Sequence, residues 1–117
     1  MKIFYDYPNC TTCKRAKNFL KEHSIEFEER NLKDVNLSKK EIKDVLGNRA
    51  PKNLFNTSGK TYRDMNLKVT LKNLSFDEAV DLLAKNSSLI KRPVFIDNEN
   101  KIFLIGFKEN EWQILIK

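Results

Sequence analysis

Two periodicities meet around the only two cysteines of the chain, and that junction constrains the fold more than any other stretch. Lys2-Ile3-Phe4-Tyr5 is a short strand-like run. Beyond it, Cys13, Ala16, Phe19 and Leu20 recur at the 3.6-residue spacing of one helix face. Between the two lies Tyr7-Pro8-Asn9-Cys10-Thr11-Thr12-Cys13, a Cys-x-x-Cys at a strand-to-helix turn, with Cys10 near the helix N-cap. A sulfur placed there meets unpaired backbone N–H groups and the positive end of the helix dipole, which favour a thiolate over a thiol. Cys-x-x-Cys thiols at helix N-termini titrate well below the free value of about 8.5. The thiolate is the form that attacks disulfides and other electrophiles.

Such a pair has three uses: redox chemistry, inert burial, or half of a zinc site. Zinc needs two further ligands, and only His23 and carboxylates are on offer, so no metal is expected. The N-terminus runs directly into a strand without a basic segment and apolar core, so no secretory signal is expected. No apolar run approaches the roughly 20 residues of a membrane span. The expected compartment is therefore the cytoplasm, where a Cys-x-x-Cys is usually catalytic, redox-sensing or metal-binding rather than structural. Redox chemistry is the reading adopted, with Cys10 as nucleophile and Cys13, one turn in, as the resolving thiol that closes a Cys10–Cys13 disulfide.

The rest of the chain fits one domain, residues 1–117. Helix one is predicted from about Thr11 to His23, and Glu26-Phe27-Glu28 alternates as a second strand, parallel to the first across a right-handed crossover. Ser38 followed by Glu41 is a capping box, Leu37 with Ile42 a hydrophobic staple, and Gly47 a stop. Pro51 opens a short helix with Leu54 and Phe55, and further short helices are expected up to Leu74. Ser75 with Glu78 repeats the capping box, ahead of a helix whose inward face is Phe76, Ala79, Val80, Leu82 and Leu83. Val94-Phe95-Ile96 and Lys101 to Ile105 form an antiparallel hairpin around Asp97-Asn98-Glu99-Asn100, and Glu109 to Leu115 is a final helix. The order β-α-β, helices, β-β-α is the α/β plan of a thioredoxin- or glutaredoxin-like fold with a small mixed sheet, interrupted by a helical insertion at about 38–86.

Several stretches together resemble one family. Tyr7 to Ala16 around the cysteines, Glu29-Arg30-Asn31 after the second strand, and Leu89-Ile90-Lys91-Arg92-Pro93-Val94-Phe95-Ile96 are similar to the ArsC/Spx family, and the resemblance runs from Lys2 to about Leu115. That family contains glutaredoxin-linked arsenate reductases, the redox-sensing transcription regulator Spx, and many arsenate-reductase-like members. The resemblance implies a cis peptide between Arg92 and Pro93, facing the cysteines, with Arg92 as thiolate and anion partner. It also implies glutathione, glutaredoxin or thioredoxin as reductant, with no bound cofactor.

The chain departs from the arsenate reductases at the oxyanion grip. Those carry serine where this chain has Cys13, and three arginines around the catalytic sulfur. Arg92 matches one of them, while Asn56 and about Gly106 fall at the other two. Charge-assisted bonds contribute roughly 1.5–3 kcal/mol each, so two missing guanidiniums weaken the hold on a tetrahedral anion by one or more decades. Cys13 resembles Spx instead, a regulator that acts on the C-terminal domain of the α chain of RNA polymerase. The segment from Asn56 to Arg63 and the end at Lys117 resemble the reductase-like branch.

The primary expectation is thus a thiol–disulfide oxidoreductase of the arsenate-reductase-like group, acting on a disulfide or oxyanion, and the alternative an Spx-like regulator. Lys14, Asn56, Lys60 and Pro93 are the expected substrate-binding residues, with Arg15 adding positive potential. The net charge of +6 suits an anionic substrate, an acidic protein surface or simply a well-solvated exterior. Neither direct nucleic-acid binding nor a membrane partner is expected, and the molecule is expected to be a monomer. His23 is read as a dipole partner at the end of helix one, and Trp112 as core.

Overall fold

The computed structural model describes residues 1–116; Lys117, the last residue of the expected domain, lies outside them. In chain order the elements are β1 (Lys2–Asp6), α1 (Thr11–Glu22), β2 (Glu28–Asn31), α2 (Lys39–Leu46), α3 (Lys60–Asp64), α4 (Leu67–Thr70), α5 (Phe76–Lys85), β3 (Val94–Asp97), β4 (Ile102–Ile105) and α6 (Glu109–Trp112). Short 3-10 turns lie at Pro51–Leu54, Leu71–Asn73, Ser87–Leu89 and Gln113–Ile116. Two compact units emerge: Met1–Asn31 with the segment from Arg92 onward, and Leu32–Lys91.

The first unit is a four-stranded mixed sheet in the order β2-β1-β3-β4. β1 pairs parallel with β2, Phe4 opposite Glu29 and Asp6 opposite Asn31. It pairs antiparallel with β3, Phe4 opposite Phe95 and Tyr5 opposite Val94, and β3 continues into β4 as the expected hairpin. Every residue of β3 is buried, as a central strand requires. At the hairpin turn the buried Asp97 carboxylate accepts the backbone N–H groups of Glu99 and Asn100, each at 3.2 Å, and the Asn100 amide at 2.8 Å. Lys101 takes a left-handed φ of 56°, which delays β4 by one residue from the expected start.

β2 also begins later than its sequence suggests. The pattern Glu26-Phe27-Glu28 looks like a strand, but the ladder with β1 starts at Glu28 opposite Ile3. Phe27 instead packs edge-on against Phe4, ring centres 5.5 Å apart. Its apolar period is spent on core packing rather than on strand pairing.

α1 lays Cys13, Ala16, Phe19 and Leu20 into a buried cluster with Phe4, Phe95, Leu104 and Trp112. Trp112 is its centre. Its ring meets Phe107, Phe95, Phe19 and Phe4 at 5.2, 5.5, 6.3 and 6.4 Å. Its Nε1–H donates to the Gly106 carbonyl at 3.1 Å. The helix expected over Glu109–Leu115 is α-helical to Trp112 and tightens into a 3-10 turn beyond it.

The second unit is helical. Ser38 and Ser75 both close reciprocal capping boxes with Glu41 and Glu78. Gly47, at φ 55°, ends α2 in a conformation that an L side chain adopts only under strain. Salt bridges Lys39–Asp81 and Lys43–Asp77, at 3.0 and 3.9 Å, join α2 to α5 over the buried Ile42, Val45, Ala79, Val80 and Leu83. Phe76, expected on the inward face of α5, is 42% exposed at its first position, and Leu82 is only half-buried. Leu54 and Phe55 lie buried after the Pro51 turn, and Phe55 bridges to Ile90. No helix among the described residues is long and apolar enough to cross a membrane.

The Ser38 cap gives a simple stability test. Its hydroxyl accepts Glu41 N–H at 3.1 Å while Glu41 Oε1 accepts Ser38 N–H at 2.9 Å. Ser38→Ala is expected to cost about 1 kcal/mol. In urea this reads as a lower midpoint with an unchanged slope; an unchanged midpoint would refute the cap's contribution.

Candidate functional site

The turn after β1 is built so that one sulfur caps a helix. Asn9 takes a left-handed φ of 58°, and Cys10 follows in extended geometry as N-cap of α1. The Cys10 Sγ accepts the Cys13 backbone N–H at 3.2 Å, in the way a serine or aspartate oxygen does at other N-caps. Both cysteines are free thiols: Cys10 is half-buried and Cys13 is buried, with 3% of its surface exposed. Burial pushes the Cys13 thiol up to about 12, helped by its hydrogen bond with Cys10 and by the nearby charges of Cys10 and Asp6; a backbone hydrogen bond from Tyr7 works the other way. One thiol is thus presented at a helix terminus and the other lies buried one turn beneath it.

A cavity of about 250 Å³ opens beside the pair, lined by Asp6, Tyr7, Pro8, Asn9, Cys10, Cys13, Lys14, Lys17, Glu29 and Asn31. Lys14 lines it beside the thiols. Arg92 stacks on Tyr7, its guanidinium carbon 4.0 Å from the ring centre, a cation–π geometry. Tyr7 itself lines the cavity. Arg15 is laid over Phe107 at 5.4 Å.

The Arg92–Pro93 peptide is cis, and Pro93 is buried. Continuing the β1–β3 register one step past Tyr5 and Val94 sets Pro93 across from Asp6. His23 caps the end of α1, its Nδ1–H donating to the Phe19 carbonyl at 2.9 Å.

Asn56 and Lys60 belong to the second unit. The Asn56 side chain folds over Gly59, where a β-carbon would come within 2.7 Å of its amide nitrogen. The Lys60 ammonium sits 2.6 Å from Asp64. Among the described residues no three His, Cys, Asp or Glu side chains gather as a metal site would need.

Sequence reasoning gave no site role to Asp6, Lys17 or Glu29, although Glu29-Arg30-Asn31 carries part of the family resemblance. Lys17 Nζ lies 2.7 Å from Glu29 Oε1, and the Asp6 and Glu29 carboxyls share a hydrogen bond. Burial raises Asp6 to about 7, reinforced by the Glu29 hydrogen bond and charge and opposed by Lys17. Glu29 is held below the usual carboxylate range by its hydrogen bonds with Asp6 and Lys17. Asp6 thus keeps the shared proton and donates it to Glu29. The signal lay in the β1–β2 register, which no local pattern reveals.

Residues 5–115 match the family model described as the ArsC family. The chain is 42% identical over 112 residues to the uncharacterised protein YusI of Bacillus subtilis, covering 94% of this chain and 93% of that one. It is 34% identical to the global transcriptional regulator Spx of Lactiplantibacillus plantarum, covering 95% and 83%. Among solved structures, an ArsC-family-related protein from Bacteroides fragilis superposes with a TM-score of 0.91 at 37% identity, covering 97% and 96%. A possible arsenate reductase from Streptococcus mutans superposes at 0.84 and 38% identity, covering 92% of each chain.

Proposed function

The chain belongs to the ArsC family, and from that premise we propose that it is a thiol–disulfide oxidoreductase in which Cys10 attacks and Cys13 resolves. The observation that carries this reading is the cysteine geometry: Cys10 Sγ held as N-cap of α1 by the Cys13 N–H at 3.2 Å, with a cavity open beside it. Cys10 attacks one sulfur of a disulfide and releases the other as a thiolate. Cys13 then attacks Cys10, and the substrate sulfur leaves as a second thiolate. The substrate has gained two electrons, and the Cys10–Cys13 disulfide has lost them. Two glutathione molecules, or a dithiol protein such as glutaredoxin or thioredoxin, return the pair to thiols.

A disulfide fits this site better than arsenate. A tetrahedral oxyanion is best held by several guanidiniums in bidentate geometry. Of the three positions at which the reductases resembled here place arginine, only Arg92 is one in this chain; Asn56 and about Gly106 take the others. Arg92 is occupied in stacking on Tyr7, and the cavity mixes Lys14 and Lys17 with Asp6 and Glu29 rather than presenting one sign.

The test is to trap the first intermediate. Cys13→Ser incubated with oxidised glutathione is expected to accumulate one glutathione on Cys10, visible by mass, whereas the wild-type chain passes on to the internal disulfide. Cell extract in place of glutathione identifies the physiological substrate by what stays attached. A Cys13→Ser chain that never forms a mixed disulfide would overturn the reading.

A second reading has its own support, because a relative covering 95% of this chain is a global transcriptional regulator. In it the Cys10–Cys13 disulfide alters a surface that binds the C-terminal domain of the α chain of RNA polymerase. Absence of binding to that purified domain, in both reduced and oxidised states, would remove it.

A further inference from the structure

The resolving step has a proton to dispose of. Cys13 is buried, and burial is the largest of the causes that push its thiol up to about 12 in the reduced protein. Burial persists once Cys10 is in a mixed disulfide, so near neutral pH Cys13 is protonated, and a thiol does not attack a disulfide. Its proton has to pass to another group before or during the attack.

The fold brings one candidate to that sulfur. With Phe4 opposite Glu29 and Asp6 opposite Asn31 in the parallel ladder, these four side chains share one face of the β1–β2 pair. It is the face under α1, since Phe4 packs in one cluster with Cys13, Ala16 and Leu20. Lys17 stands one turn beyond Cys13 and reaches down to Glu29 at 2.7 Å. Asp6, Glu29, Lys17 and both thiols line the same cavity, which has room for water between them. A hydrogen-bonded carboxyl pair, clamped by one ammonium, therefore lines one cavity with the buried thiol.

We propose that Asp6 is the proton acceptor for Cys13 in the resolving step, with Glu29 and Lys17 setting when its carboxylate is free to accept. The proposal rests on the redox reading of the two cysteines given above. In the step, the Cys13 S–H proton passes to the Asp6 carboxylate, directly or through a water. The Cys13 thiolate attacks Cys10 Sγ, the Cys10–Cys13 bond forms, and the bond from Cys10 to the substrate sulfur breaks. The substrate sulfur leaves with the electron pair as a thiolate, and the Asp6 proton returns to solvent.

The groups around Asp6 fix the pH dependence. Glu29 and the neutral Asn31 line the cavity with it from β2, Tyr7 and Cys10 from the turn before α1, and Cys13, Lys14 and Lys17 from α1. On the β3 side stand the apolar Pro93 and Val94, preceded by Arg92 on Tyr7. Lys21 acts on Glu29. Because Asp6 is raised to about 7, below that pH it holds the proton shared with Glu29 and accepts no other. Assisted resolution accordingly climbs with pH to about 7 and then levels off. An unassisted Cys13 would gain about tenfold per pH unit with no plateau, following its thiolate fraction.

One equivalent of 5,5′-dithiobis(2-nitrobenzoate) separates the steps. The first thionitrobenzoate released reports Cys10 attack and the second reports resolution by Cys13. Asp6→Asn is expected to slow the second release on the order of 10²-fold more than the first, the scale of general-base assistance, and to abolish the plateau. Glu29→Gln leaves Asp6 in place, removes the neighbouring charge, and is expected to move the plateau's onset to lower pH; it carries the test alone if Asp6→Asn does not fold. Equal slowing of both releases, a plateau retained in Asp6→Asn, or an onset unmoved in Glu29→Gln overturns the role of Asp6 while leaving the cysteine chemistry standing. If the wild-type chain releases one equivalent or none, Cys13 does not resolve, and both readings fall.

Discussion

Cys10→Ser is expected to lose disulfide-exchange turnover by on the order of 10³-fold or more, the scale seen when an enzyme loses its nucleophile. The assay is glutathione-driven reduction of a small disulfide such as bis(2-hydroxyethyl) disulfide. A serine hydroxyl stays protonated near neutral pH and is a far weaker nucleophile than a cysteine sulfur. Structure does not confound the result. Serine is among the preferred N-cap residues, and its hydroxyl can accept the Cys13 N–H that Cys10 Sγ accepts at 3.2 Å. Unfolding midpoints of the two proteins should therefore agree within about 0.5 kcal/mol, the usual range for a substitution away from a critical feature. Turnover retained in Cys10→Ser would mean that the chemistry is elsewhere.

Trp112→Ala is expected to be the most damaging single change to stability. The indole is fully buried, surrounded by four phenylalanine rings, and anchored through Nε1–H to the Gly106 carbonyl. Truncating a buried aromatic of this kind costs about 3–5 kcal/mol, because the transfer free energy is lost and a cavity remains. For a domain of this size that is a fall in Tm of roughly 15 °C. The effect should also reach the site. Cys13 lies in the same buried cluster, so alkylation of Cys13 should accelerate in the variant. Trp112→Phe keeps a ring but leaves the Gly106 carbonyl without its donor, for a loss of about 1–3 kcal/mol. A Trp112→Ala chain as stable as the wild type would refute the central place given to this residue.

What could be read from sequence was what local chemistry decides. The strand, turn and helix around the cysteines follow from two hydrophobic periods and one turn. The Ser38 and Ser75 caps follow from a three-residue spacing, and the β3–β4 hairpin from two apolar runs around a polar turn; all are present. What could not be read depends on pairing between distant segments. β2 is Glu-Glu-Arg-Asn, with no apolar alternation to mark it, and only its ladder with β1 makes it a strand. The same ladder brings Asp6 beside Glu29 across more than twenty positions of sequence. Asp6 does not stand out on a linear reading, because an acid at a strand end is ordinarily solvated, and Glu29 is marked only by the family resemblance. Asn56 and Lys60 are expected at the site only through the family resemblance. In the structure the Asn56 side chain lies against Gly59 and the Lys60 ammonium pairs with Asp64.

All of this chemistry requires that Cys10 and Cys13 form a reversible internal disulfide. One measurement addresses it directly: oxidise the reduced protein with one equivalent of diamide, then determine its intact mass and its free thiols under denaturing conditions. The expected product is a monomer lighter by two hydrogens, with no titratable thiol, restored to two thiols by glutathione. Two thiols still titratable after oxidation, or a product linked between chains, would contradict it.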